Sequence, residues 1–215
     1  MVKSTSIARV SDGLPLAATV DDEKSESALL TQKQQAKLLF RKLSSSSENA
    51  ASVESGPYVL HYIIEEGICY LCIADKSYPR KLAFSYLSEV SKEFYASYGQ
   101  EAQKPGIRPY AFVGFENNLQ KLTREYLNSR TSSNLDKLND DLNDVTRIMT
   151  RNIDDLLSRG ESLDKMSTLS STLRDESIKY RKAARNVNLK AMLREYGLYA
   201  GLATFFLIII WWRLF

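Results

Sequence analysis

Two cysteines and a single histidine are all that a chain of 215 residues supplies of the softer metal ligands, so a four-ligand zinc site of Cys and His cannot be assembled. Acceptor triplets of the Asn-X-Ser/Thr kind are absent. The N-terminus also lacks the basic segment and long apolar run of a signal peptide, and nothing argues for passage into an oxidising lumen. Charge of one sign is missing as well. Lys and Arg number 29 against 26 Asp and Glu, a net +3 that is too mild for a nucleic-acid binder. No Gly-rich phosphate loop and no nucleophile elbow occurs. Cys69 and Cys72 have the CxxC spacing but sit in a strand-like run, where an offset of three places them on opposite faces as buried structural residues. His61 alternates within another such run, with no Cys or acidic partner near it in sequence, and reads as a core or surface histidine. The sequence therefore offers no catalytic constellation, no enzyme is expected, and no cofactor or metal.

Proline and glycine are scarce where it matters most. Pro109 is the last proline, and between residues 134 and 194 the one glycine is Gly160. Such a stretch reads as one long helix. Alternating steps of three and four pick out Leu135, Leu138, Leu142, Val145, Met149, Asn152, Leu156, Arg159, Leu163, Met166, Ser170, Leu173, Ser177, Tyr180, Ala184 and Val187. Twelve of these sixteen are apolar. A sustained 3.5-residue repeat is a seam that faces partner helices, because a lone helix cannot bury it. Arg159 stands at the middle of that seam, where a guanidinium costs several kcal/mol unless partner helices supply acceptors, so it reads as a pin for the register. Charge is polarised too. Residues 134–164 hold eight acids and four bases, residues 165–194 two acids and eight bases, which sets the basic end beside anionic lipid.

From Tyr196 to Trp212 seventeen residues carry no charge. As a helix they span roughly 25 Å, the short end of a transmembrane segment. Trp211 and Trp212 suit an interfacial belt, and Arg213 can reach the far headgroups. The basic flank puts the N-terminal side in the cytosol, so a tail anchor with a lumenal C-terminus is expected.

The first 127 residues read as a small α+β domain. Strands over 2–10 and 14–20 flank Asp12-Gly13, and runs over 58–64 and 68–74 flank Glu65-Glu66-Gly67, both hairpin signals. Residues 51–55 add a short strand. A helix over 26–43 carries Leu29, Ala36, Leu39, Phe40 and Leu43 on one stripe, a helix after Pro79 buries Ala83, Leu87, Val90, Phe94 and Tyr98, and a last one covers 116–127. Helices should then cover an antiparallel sheet. The expected organisation is a domain over 1–127, a linker over 128–133, the seam and basic segment over 134–194, and the anchor over 195–215.

Residues 134–166, which include Arg159, resemble the SNARE motif of the synaptobrevin-type R-SNAREs. Asp12-Gly-Leu-Pro-Leu16, Tyr78-Pro-Arg-Lys-Leu-Ala-Phe84 and Arg108-Pro-Tyr-Ala-Phe112 resemble a longin domain, a profilin-like fold, of the R-SNARE kind that works between endoplasmic reticulum and Golgi. The resemblance implies that Arg159 forms an ionic layer with glutamines of three Q-SNARE helices, one syntaxin-type and two others, and that the sixteen seam positions are the core layers. It implies a vesicle protein of endoplasmic reticulum and Golgi membranes, crossing the bilayer once. It also implies that Asn152-Ile153-Asp154 folds back onto the longin domain in a closed form which the COPII coat recognises. Ile153 lies one step off the seam, so a helical bundle leaves it partly exposed and a domain surface could cover it. A tail-anchored coiled-coil tether is the rival reading; it favours an all-apolar seam and does not need Arg159.

Overall fold

A computed structural model describes residues 1–20, 27–44, 47–128 and 148–157. A hairpin, a helix and a three-stranded meander open the chain: β1 (Val2–Arg9), β2 (Pro15–Ala18), α1 (Leu30–Lys42), β3 (Ala50–Ser55), β4 (Tyr58–Glu65) and β5 (Ile68–Asp75). The long helix α2 (Arg80–Ala102), a 3₁₀ turn (Val113–Phe115) and α3 (Glu116–Asn128) follow, then β6 (Met149–Asn152) and the single-turn α4 (Ile153–Leu157). The six strands form one sheet in the order β2-β1-β5-β4-β3-β6.

Turn chemistry fixes the hairpins. Gly13 has φ +65°, and a Cβ there would lie 3.2 Å from the Phe40 carbonyl oxygen, so the β1–β2 turn can sit against the end of α1 only as glycine. Asp12 locks the same turn, accepting from the Leu14 amide at 3.1 Å and from the Arg9 guanidinium at 2.6 and 3.1 Å. In the β4–β5 turn Glu66 and Gly67 both have positive φ, 50° and 73°, as a two-residue hairpin of right-handed twist requires.

Strand β5 lies at the centre of the sheet and is apolar almost throughout because both its faces are covered. Ile68, Tyr70, Cys72 and Ala74 turn to the core under α2 and α3; Cys69, Leu71 and Ile73 turn to the core under α1. The two cysteines therefore occupy opposite faces, as their spacing predicts. Under α2, Phe94 packs edge-on against Phe112 and Phe115, with ring centroids 5.7 and 5.1 Å apart. Under α1, all five residues of the predicted stripe are buried. The outer edge of β2 is closed by the loop before the 3₁₀ turn, since the Tyr110 and Phe112 amides donate to the Pro15 and Leu16 carbonyls at 2.7 and 3.1 Å.

One expectation holds within its bounds and one needs correction. The strands of residues 1–127 pair antiparallel as expected, and β6, from beyond that domain, makes the sheet mixed by pairing parallel to β3. The continuous helix expected over 134–194 does not hold at Met149–Asn152, which is a strand. The free edge of β3 offers that segment backbone partners and a pair of apolar faces, which a lone seam helix lacks. Among the described residues no helix is long and apolar enough to cross a membrane. The run 196–212 lies outside them.

Candidate interaction surface

Strand β6 and helix α4 come from the heart of the 3.5-residue repeat, more than ninety residues after the strand they pair with. The register sets Ala51 beside Met149, Ser52 beside Thr150, Val53 beside Arg151 and Glu54 beside Asn152. Strand alternation then sends the flanking isoleucines to opposite faces. Ile148 packs, partly buried, against the core under α2. Ile153 is 3% exposed and enters the core under α1 with Leu29, Leu39, Phe40, Leu43 and Leu60. Burial of one isoleucine contributes about 2 kcal/mol.

Polar contacts fasten the segment at both ends. From α2, the Arg80 guanidinium donates to the Ile148 carbonyl while lying 5.9 Å from the Phe84 ring centroid. From the loop before β3, Glu48 pairs with Arg151. From α1, the Lys42 ammonium donates to the Leu156 carbonyl at 3.3 Å. The Asn152 side-chain oxygen accepts from the Asp154 amide at 3.1 Å and so caps α4, whose first turn carries Asp154 and Asp155 at the positive end of its dipole. A cavity of about 210 Å³ remains between Leu39, Leu43 and Tyr62 on the domain and Arg151 and Leu156 on the segment. Burial pushes the Tyr62 hydroxyl at this cavity up to about 12. The contact is thus built on one deep anchor and several surface bonds, with an open cavity at its rim.

Of the seam positions, the described residues include Met149, Asn152 and Leu156. Met149 is 56% exposed, Asn152 is exposed and Leu156 is half-buried. The seam thus faces mainly away from the domain while Ile153, off the seam, faces into it. Arg159 and the other seam positions (Leu135, Leu138, Leu142, Val145, Leu163, Met166, Ser170, Leu173, Ser177, Tyr180, Ala184 and Val187) lie outside the described residues.

Ile148, Arg151, Arg80, Glu48 and Lys42 are contacts that the sequence reading did not single out. A signal for one of them was present: Ile148, like Ile153, is apolar yet off the seam, which a helix serving only a bundle has no use for. Arg80, Glu48 and Lys42 carry no such mark, since their partners are fixed by a register that sequence does not display.

The groups with reactive side chains are held uncharged. Burial pushes both thiols up, Cys72 to about 12 and Cys69 further. His61 is lowered to about 4, by burial first and the nearby Arg80 charge second. Its Nδ1 lies 2.8 Å from the Ser52 hydroxyl and its ring meets Phe84 edge-on at 5.4 Å. Among the described residues no three of His, Cys, Asp and Glu come together to hold a metal ion. What this geometry does is hold a segment of its own chain against the domain.

Comparison with known proteins agrees with a two-part chain. The longin family model, described as a regulated-SNARE-like domain, matches residues 16–119, and the synaptobrevin model matches residues 134–214. The protein transport protein sec22 of Schizosaccharomyces pombe is 59% identical over 215 residues, 100% of both chains. SEC22 of Saccharomyces cerevisiae is 43% identical over 212 residues, 99% of this chain and 98% of its own. The vesicle-trafficking protein SEC22b of Xenopus tropicalis is 41% identical over 218 residues, 99% of this chain and 100% of its own. The chain belongs to the Sec22 family of longin-domain R-SNAREs.

Proposed function

We propose that this protein is the R-SNARE of transport vesicles moving between endoplasmic reticulum and Golgi, and that its longin domain holds the SNARE motif closed until partner helices take it. One observation carries the reading: Met149–Asn152 is a strand on the domain, whereas its place in the 3.5-residue repeat demands a helix in a bundle. The same backbone cannot be both, so docking and bundling exclude one another.

In this reading three Q-SNARE helices supply the faces the seam lacks. Arg159 enters an ionic layer with their glutamines, and the motif zippers from Leu135 toward Val187. The helix between 134 and 194 then pulls the anchor over 195–215, read from the uncharged run and its basic flank, toward the opposing bilayer. The longin domain with Asn152, Ile153 and Asp154 docked presents a composite surface that the COPII coat can read, so sorting selects molecules not yet assembled. The family membership and the full-length identity to transport proteins support the trafficking role.

Ile153→Asp tests the closed state. Loss of about 2 kcal/mol shifts the docking equilibrium about 30-fold, which opens a contact of this size. The variant should scatter X-rays as a more extended particle, assemble faster with Q-SNARE helices and bind the coat more weakly. A wild-type chain already as extended as the variant, and assembling no more slowly, would refute the closed state.

A further inference from the structure

Ser47 is the one aliphatic hydroxyl on the wall of the cavity of about 210 Å³ that separates the domain from β6 and α4. Lys42 and Glu48 share that wall on the side of the domain, and Arg151 faces them from β6. The wall therefore carries two positive charges against one negative, with one cation on each side of the contact. Glu48 takes Arg151 through its Nη2, although a guanidinium carries five N–H donors on three nitrogens. The Ser47 side chain is held at the cavity by a local turn. Its hydroxyl accepts from the Ser44 amide at 3.0 Å, and its own amide donates to the Ser44 carbonyl at 2.9 Å.

We propose that Ser47 is a phosphorylation site, and that its phosphate bridges Lys42 of the domain to Arg151 of β6 and so clamps the docked segment. This rests on the fold-back reading and adds a modification that sets how long the segment stays docked. A protein kinase supplies the group from ATP. The bond from the Ser47 oxygen to the γ-phosphorus forms, the bond from that phosphorus to the departing ADP oxygen breaks, and the hydroxyl proton passes to the base of the kinase. Arg151 and Leu156 form one wall of the cavity, so the hydroxyl is open to a kinase while the segment is undocked. The phosphoryl group brings a charge of about −1.5 to −2 at pH 7 and three acceptor oxygens. It also fits, because at about 30 Å³ per water the cavity has room for roughly seven, and the group has four heavy atoms. A dianion outbids the single Glu48 carboxylate for both cations, since charge-assisted bonds strengthen with the charge of the acceptor. The pairs lie at a rim where Arg151 and Glu48 are more than a third exposed, so solvent screens them and the hold stays reversible.

Two measurements test it. Mass spectrometry of the chain isolated from its cells, with phosphatases inhibited, should place phosphate on Ser47; phosphate confined to neighbouring serines, or none, overturns the inference. The second uses the full chain in neutral phosphatidylcholine bilayer discs, made with phosphoserine at position 47 alone. Amides 149–152 should exchange about tenfold more slowly than in the unmodified chain, as two partly screened pairs acting together give. The second ionisation of the phosphate, followed by phosphorus NMR, should fall below its ordinary value of about 6. In Arg151→Gln the phosphate should neither slow exchange nor titrate as low, whether or not the segment still docks. Equal or faster exchange in the phosphorylated chain, with 149–152 protected in the unmodified one, overturns the clamp and leaves the fold-back reading standing. Exchange of 149–152 at the free-chain rate with and without phosphate overturns both. A lowered phosphate ionisation that persists in Arg151→Gln shows that the group is held within the domain alone, and overturns the bridge.

Discussion

Under α2 and α3 the sheet is sealed by Phe94, Phe112 and Phe115, residues of the same continuous domain; under α1 it is sealed in part by Ile153, supplied from the SNARE motif. The first cover is dense with aromatic pairs, and among the described residues only the half-buried Ile148 reaches it from the motif. The second leaves a cavity of about 210 Å³ at its rim. One face is therefore closed from within the domain, and the other is closed in part by a segment that, in the proposed reading, the domain holds and lets go.

The largest expected effect breaks this comparison from the permanent side. Phe94→Ala should cost ~3–5 kcal/mol, a large part of a domain's stability, and thermal unfolding should shift for every strand together. Ile153→Ala should cost at most about 2 kcal/mol, release β6 and α4, and leave the exchange of β1, β4 and β5 amides close to wild type.

Acid acts on the sheet between the two faces. His61 titrates near 4 when folded against an ordinary 6.5, so the unfolded chain takes the proton first. Stability that is whole above pH 6.5 is lost as the pH falls toward 4, by about 2 kcal/mol at pH 5. Denaturant midpoints at pH 7.5 and 5 should differ by that amount more in wild type than in His61→Gln.

Smaller effects sharpen the releasable side. Arg80→Ala removes the bond to the Ile148 carbonyl and should weaken docking by about 1 kcal/mol. Glu48→Ala removes a pair whose side chains are both more than a third exposed and should weaken it by ~0.5 kcal/mol or less. Exchange of amides 149–152 ranks the two, and a larger effect from Glu48 would reverse the assignment of the stronger fastening to α2.

Sequence patterning carries much of this domain. The turns at Asp12-Gly13 and Glu66-Gly67, the stripe of α1 and the buried face of α2 all follow from local chemistry, and the element bounds differ from the expected ones by a few residues. The parallel strand β6 could not be read in the same way. Its local pattern is helical, and only a long-range partner, the open edge of β3, makes it a strand. Ile153 was marked by its offset from the seam, whereas the pairs made by Arg80, Glu48 and Lys42 depend on how β6 registers with β3. Residues 149–152 carry the pattern of a bundle helix and the contacts of a strand.

A covalent lock tests that duality most directly. Glu54 and Asn152 are register neighbours on β3 and β6, and adjacent strands place such residues about 4.8 Å apart, within reach of a disulfide. The native Cys69 and Cys72 are buried and leave the engineered pair undisturbed. Glu54→Cys/Asn152→Cys, oxidised, should fail to assemble with Q-SNARE helices and recover wild-type assembly once reduced. Assembly at equal rates in the oxidised and reduced forms would contradict the claim that docking and bundling exclude one another.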